Sequence, residues 1–247
     1  EVAEVFLEKG YAVYLPEHRG HGYSQRECGD WDKVYIRSYQ DYVDDLYCFI
    51  ERKVVLKHRK TFLFAHSMGG AVGALFLEKY PTVFDAAVFS APMFGIQTGK
   101  CPQPIAQAIA QIACLTGKGM EYAPGQHGFD AKEDFKNSSC MSLESYNRIF
   151  KLRKECIAYQ TYGGTYRWLL AGITATKQLL KRKNMKKVRV PVLIFQAEWD
   201  HMVKNKAHAK FLIGTERTSL VRIAGSKHEI FHAGEVQRNV YYNELFA

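Results

Sequence analysis

The chain of 247 residues is 47% hydrophobic, 13% aromatic and 24% charged, a balance that describes a globular protein with a large core and excludes disordered and fibrous classes. Its formal charge of +9 has one source: residues 93–190 hold 16 Lys and Arg against 6 Asp and Glu, whereas the rest of the chain holds 18 against 19. No apolar run approaches the roughly 18 residues of a membrane-spanning helix, and no nucleic-acid-binding motif accompanies the basic segment.

Glu1 to Lys9 places Val2, Val5 and Phe6 at helical spacing, with Gly10 as the stop. Tyr11 to Leu15 reads as a short buried strand closed by Pro16. Ser38 caps a helix whose inner face carries Tyr39, Tyr42, Val43, Leu46, Phe49 and Ile50, with Asp41, Asp44 and Asp45 near its positive end. A strand over Thr61 to Ala65, a glycine-rich helix stopped by Pro81 and a strand over Asp85 to Ser90 follow. Such alternation predicts a mostly parallel sheet with helices on both faces. It pauses at Pro92 and resumes with a strand at Pro191–Phe195, a helix from about Lys204, a strand at Ser219–Ile223 and a closing helix over Gly234–Phe246 with Val236, Val240 and Leu245 turned inward. The interval from 93 to 188 is helical, basic and aromatic, and reads as an insertion above the sheet between the third and fourth of the strands before the last. Its densest charge is Lys181-Arg182-Lys183, Lys186-Lys187 and Arg189, which suits either an anionic lipid surface or a solvated helix end.

Ala65-His66-Ser67-Met68-Gly69-Gly70 lies where a strand ends and a helix begins, the setting in which a small-x-Ser-x-Gly match reads as a nucleophile elbow. The tight turn demands small residues two before and two after the serine, and it lifts the hydroxyl clear of the sheet. The backbone N–H of Met68, at the helix N-terminus, then points where an oxyanion forms. A serine needs a base, and the base needs an orienting carboxylate. Among nine histidines, His228 follows the last strand and is the expected base, with His232 as the alternative. Asp200 follows the strand at 191–197 and completes the order Ser, Asp, His, with Glu198 able to substitute. His66 is expected to turn its ring away into the sheet, and His18 and His21 to serve an early turn.

Six cysteines without a Cys-x-x-Cys pair suit reduced thiols in the cytosol, and no metal or organic cofactor is indicated. Since the sequence opens Glu1-Val2-Ala3, any targeting signal would lie upstream.

Glu17-His18-Arg19-Gly20-His21-Gly22-Tyr23-Ser24, the segment 65–70, Gln196-Ala197-Glu198-Trp199-Asp200 and Lys227-His228-Glu229-Ile230 together resemble the α/β-hydrolase superfamily, in its monoacylglycerol lipase-like branch. Asp41-Tyr42-Val43-Asp44-Asp45-Leu46, Ala91-Pro92-Met93-Phe94-Gly95 and Tyr162-Gly163-Gly164-Thr165-Tyr166-Arg167-Trp168 further resemble bacterial lysophospholipases of the inner membrane. The resemblance implies an α/β core at 1–92 and 189–247 and a helical lid at 93–188 that forms an acyl tunnel and faces lipid. It adds His66, Tyr162, Tyr166 and Trp168 as candidate substrate contacts. It implies hydrolysis of a lysophospholipid, with monoacylglycerol hydrolysis, another carboxylesterase activity, acyl transfer or noncatalytic lipid binding as alternatives. A cytoplasmic protein touching an anionic inner-membrane surface through the basic lid, without an obligate protein partner, fits the same picture. The family also carries N-terminal strands and an oxyanion loop, donor of the second N–H, ahead of the first helix seen here, so the natural protein is expected to extend N-terminally.

Overall fold

Apolar runs bounded by Gly and Pro become the strands of one parallel sheet. The computed structural model describes residues 1–54 and 60–247. The first half contains α1 (Val2–Glu8), β1 (Lys33–Val34), α2 (Tyr39–Lys53), β2 (Phe62–His66), α3 (Met68–Lys79) and β3 (Ala86–Ser90). Between β3 and the next long strand stand α4 (Gln103–Leu115), α5 (Leu143–Glu155), β4 (Gly163–Gly164), α6 (Tyr166–Leu179) and α7 (Arg182–Met185). β5 (Val192–Ala197), α8 (Asn205–Gly214), β6 (Thr218–Ile223) and α9 (Glu235–Phe246) complete the chain. The main sheet has the order β2-β3-β5-β6 with every pair parallel. Side-chain alternation divides it into two faces. Ala87, Phe89, Val192 and Ile194 join the core made with α2, α3, α6 and α8. Phe195, Ala197 and Ile223 pack on the other side against Ile230 and Tyr241.

α2 starts where Ser38 accepts from the Gln40 N–H at 3.1 Å while Asp41 accepts from the Ser38 N–H, a reciprocal cap. Arg19 braces the preceding turn to this helix, donating to both Asp45 carboxylate oxygens at 2.6 Å and to Glu27 at 2.9 Å. The Glu17–Ser24 segment is therefore a structural clasp at the start of α2.

Several expectations need correction. Tyr11–Leu15 forms no ladder among the described residues, and Tyr11, Tyr14 and Leu15 are exposed. A short apolar run becomes a strand only when a neighbour supplies backbone partners. Tyr11 instead packs its ring edge-on to Phe6 at 5.7 Å and Phe62 at 6.1 Å. In α9 the inward stripe is Tyr241, Tyr242 and Leu245, while Val236 and Val240 face out. Burying the large tyrosine against Phe195, at 4.5 Å between rings, sets the rotation of this helix. The interval 93–188 also contains a strand, since β4 pairs in parallel with β1 through Lys33↔Gly163 and Val34↔Gly164. Its last long helix, α6, buries Ile173 and Leu179 in the main core.

Glu78 of α3 is 8% exposed, and its Oε1 has no hydrogen-bond partner among the described residues. Burial raises its carboxyl from 4.5 to about 8, with Lys187 opposing. The folded chain thus keeps this group protonated while the unfolded chain ionises it, so stability declines as pH rises from 4.5 towards 8. Glu78→Gln is expected to raise the thermal midpoint clearly at pH 9 and hardly at pH 5; an equal shift at both would contradict a buried, protonated Glu78.

Candidate active site

The end of β2 turns into α3 with Ser67 at φ 51° and ψ −120°, one of three non-glycine residues with positive φ among those described. Such a backbone is sustained only by its surroundings. Four contacts sustain it: the Ser67 N–H donates to the Ser90 carbonyl at 3.1 Å, and the Ser67 carbonyl accepts from Gly70, Ala71 and Met93 N–H groups. Small residues are needed here for a specific reason. A Cβ at Gly70 would lie 2.5 Å from the Pro92 Cβ, whereas one at Gly69 would meet nothing nearer than 3.8 Å. The tightest approach therefore falls three residues after the serine.

The loop after β3 is locked from the other side. Ala91 also has positive φ, its N–H donates to the Phe195 carbonyl at 2.8 Å, and the Pro92 carbonyl accepts from His208 Nε2 at 2.7 Å. His208 is fully buried, with Nδ1 facing the Gln196 amide at 3.2 Å, and burial holds its imidazole below the ordinary range. Nothing in its sequence spacing singled it out, because its role is to hold a backbone carbonyl 116 positions away.

All three strands that matter are parallel, so their C-terminal ends share one rim. Ser67 follows β2, Asp200 follows β5 and His228 follows β6. There the side chains meet: His228 Nε2 lies 2.8 Å from Ser67 Oγ, and His228 Nδ1 lies 2.7 Å from Asp200 Oδ2. The Asp200 carboxylate is wholly buried and the imidazole nearly so. The second carboxylate oxygen, Oδ1, accepts from the N–H groups of Met202 at 2.8 Å and Val203 at 3.0 Å. Burial opposes ionisation of Asp200, but His228 and these two amides outweigh it and hold the carboxyl below its usual range. The Asp200 contact leaves Nδ1 protonated and Nε2 free to accept the serine proton. The Met68 N–H, first amide of α3, has no acceptor within its helix and adjoins the hydroxyl.

The other residues singled out from the sequence, His66 excepted, lie elsewhere. Glu198 is engaged with Arg222 at 2.8 Å and with the Gly225 N–H at 2.7 Å. His232 contacts Glu229 through Nδ1 and Glu1 through Nε2, both at 2.7 Å. The His66 ring does not turn away: it packs 4.7 Å from the His228 ring and 4.9 Å from Phe231, its Nδ1–H donating to the Ser90 carbonyl at 2.9 Å. Burial first, then the neighbouring His228, lowers its pKa to about 3, so it stays neutral beside the His228 ring. Tyr162 is exposed and stacks under the Arg153 guanidinium at 5.1 Å. Trp168 rests on the main core with its indole N–H buried and without a partner among the described residues, and Tyr166 donates its backbone N–H to the Glu121 carbonyl. No hydrogen bond or ring contact among the described residues joins Tyr162, Tyr166 or Trp168 to Ser67, Asp200 or His228.

Strand order, elbow and rim place this chain in the α/β-hydrolase fold class. The monoacylglycerol lipase of Paleococcus ferrophilus superposes on it with a TM-score of 0.75 at 17% identity, covering 99% of this chain and 86% of that one. Residues 1–235 match the model of the serine aminopeptidase, S33 family, and the chain belongs to that family. Lysophospholipase L2 of Escherichia coli K12 is 32% identical over 249 residues, spanning 97% of this chain and 72% of that protein. A probable lysophospholipase L2 of Haemophilus influenzae is 31% identical over 243 residues, spanning 97% and 75%.

Proposed function

We propose that this carboxylic ester hydrolase cleaves the acyl ester of a single-chain lipid, a lysophospholipid, through an acyl-enzyme on Ser67. The observation that carries the reading is the hydrogen-bonded series Asp200–His228–Ser67 with its serine on a strained elbow. Ser67 Oγ attacks the acyl carbonyl while His228 Nε2 takes the hydroxyl proton, and Asp200 stabilises the imidazolium that results. The Met68 N–H donates to the oxyanion. Collapse of the tetrahedral intermediate expels the glycerol oxygen, which receives the proton from His228. Water, activated by the same imidazole, then frees the fatty acid and restores Ser67.

A phosphate-bearing substrate is favoured by the names of the lysophospholipase relatives. Fatty-acid release from lysophosphatidylcholine and from monoacylglycerol of the same chain length tests this choice. The reading expects the higher kcat/KM on the lysophospholipid; the reverse order would replace it with monoacylglycerol hydrolysis.

Residues 93–188 serve as the lid, with α6 as its base on the core and α4 as its lipid-facing element. α4 contains no charged residue and exposes Ile105, Ile109, Ile112 and Leu115 along one side. Its first residue, Gln103, accepts from Lys204 Nζ at 3.1 Å, close to the loop that carries Asp200. The run Lys181–Arg189 is a poorer lipid contact for this site. It precedes β5 and so stands at the opposite end of the sheet, a six-residue strand or about 20 Å away. Converting Ile109 and Ile112 together to serine is expected to weaken binding to anionic vesicles roughly 100-fold while leaving cleavage of a short water-dissolved ester unchanged. Unaltered vesicle binding would remove α4 from the lipid contact.

A further inference from the structure

We propose that Cys140, Glu229 and His232 form a site for a borderline-soft divalent cation, Zn²⁺ by its donor set, which pins the loop bearing His228 to the inserted segment. The thiol, the carboxylate and the imidazole each offer one ligand atom, and these atoms all lie within 4.8 Å of one another. Cys140 is 3% and His232 7% exposed, so the cluster is a buried set of mixed S, N and O donors of the kind that zinc selects.

The surroundings are arranged as a metal site requires. His232 stands between two carboxylates, its Nε2 2.7 Å from Glu1 and its Nδ1 2.7 Å from Glu229 Oε2, so a cation enters by replacing the proton that Nδ1 shares with Oε2. Ser139 Oγ donates to Glu229 Oε1 at 2.7 Å and so leaves Oε2 for the cation. Nδ1 and Oε2 are now 2.7 Å apart, and tetrahedral bonds to a shared zinc require them to open to about 3.3 Å. The backbone around the cluster is fixed on both sides. Met141 and Ser142 donate their N–H groups to the His232 carbonyl at 3.0 and 2.9 Å, and Glu229 donates its own to the Ser139 carbonyl at 3.1 Å. Coordination takes the thiolate and the neutral imidazole, so the Cys140 proton and the His232 Nδ1 proton both leave to solvent, and water fills the fourth position. The consequence is mechanical: two ligands flank the turn that follows His228, and the third belongs to the segment laid across it.

Titrating the full chain with Co²⁺ tests this without any substrate, and Ser67→Ala is expected to give the same result, so the outcome is independent of the hydrolase reading. The site predicts one cobalt per chain, with the intense near-ultraviolet thiolate-to-cobalt absorption, displaced by one equivalent of Zn²⁺. Cys140→Ser should abolish that absorption, Cys48→Ser, at an exposed thiol, should retain it, and Glu1→Gln should weaken binding by about 10- to 100-fold. Where Cys140→Ser unfolds, His232→Gln serves as the second variant and should lower cobalt affinity by more than Glu1→Gln does. Substoichiometric binding, a cobalt spectrum without thiolate absorption, or wild-type affinity in a folded His232→Gln chain would each overturn the site.

Discussion

Ser67→Ala is expected to lower kcat on a lysophospholipid by about 10⁶-fold while leaving the melting temperature and vesicle binding close to wild type. The size follows from the chemistry, because without the hydroxyl there is no acyl-enzyme and only oxyanion stabilisation and substrate binding remain. Stability is spared because the lost atom makes one hydrogen bond among the described residues, to His228 Nε2, while the elbow is held by backbone bonds with Ser90, Gly70, Ala71 and Met93. Residual turnover within tenfold of wild type would refute the assignment of the nucleophile. Steady-state release of fatty acid, measured on the same preparation as a thermal melt, decides it.

Asp200→Asn carries the second large effect, a fall in kcat of about 10⁴-fold, and its cause is a tautomer. Oδ1 accepts from two backbone N–H groups, Met202 and Val203. An asparagine must keep its carbonyl oxygen there, so its NH₂ takes the place of Oδ2 and donates to His228 Nδ1. The imidazole then carries its proton on Nε2 and cannot accept one from Ser67. Glu198→Gln is the control: that carboxylate serves Arg222 and Gly225, and its loss should leave kcat unchanged. If Glu198→Gln proved the damaging variant and Asp200→Asn the mild one, the orienting carboxylate would have to be reassigned.

What was legible in the sequence was local or periodic. The capped face of α2, the strand-to-helix turn at Ser67 and the apolar runs of β2, β3, β5 and β6 each declare themselves within about a dozen residues. Parallel strands then send the ends of β2, β5 and β6 to one rim, so the chain order of Ser67, Asp200 and His228 could be read before any distance was known. The failures were non-local. Tyr11–Leu15 has strand composition but no partner, and the ladder between β1 and β4 joins Lys33-Val34 to Gly163-Gly164, four residues with little strand signal. Val236 and Val240 are at helical spacing, yet that spacing cannot say which of two stripes turns inward; the buried Tyr241 decides it. Gly70 rather than Gly69 meets Pro92 because the loop after β3 crosses there, and His208 holds that same loop by its carbonyl. The basic run at 181–189 reads as part of the inserted segment, but only strand direction reveals that it stands at the far end of the sheet. Cys140, Glu229 and His232 have no motif spacing at all.

The central claim is that Ser67 is an activated nucleophile served by His228 and Asp200. Treating the intact chain with a fluorophosphonate probe and locating the adduct by mass spectrometry tests it most directly, since only a deprotonatable serine beside a base reacts at useful rates. One adduct per chain, on the peptide containing Ser67 and lost in His228→Ala, is the predicted result. An unlabelled chain, or an adduct on a different serine, would contradict it.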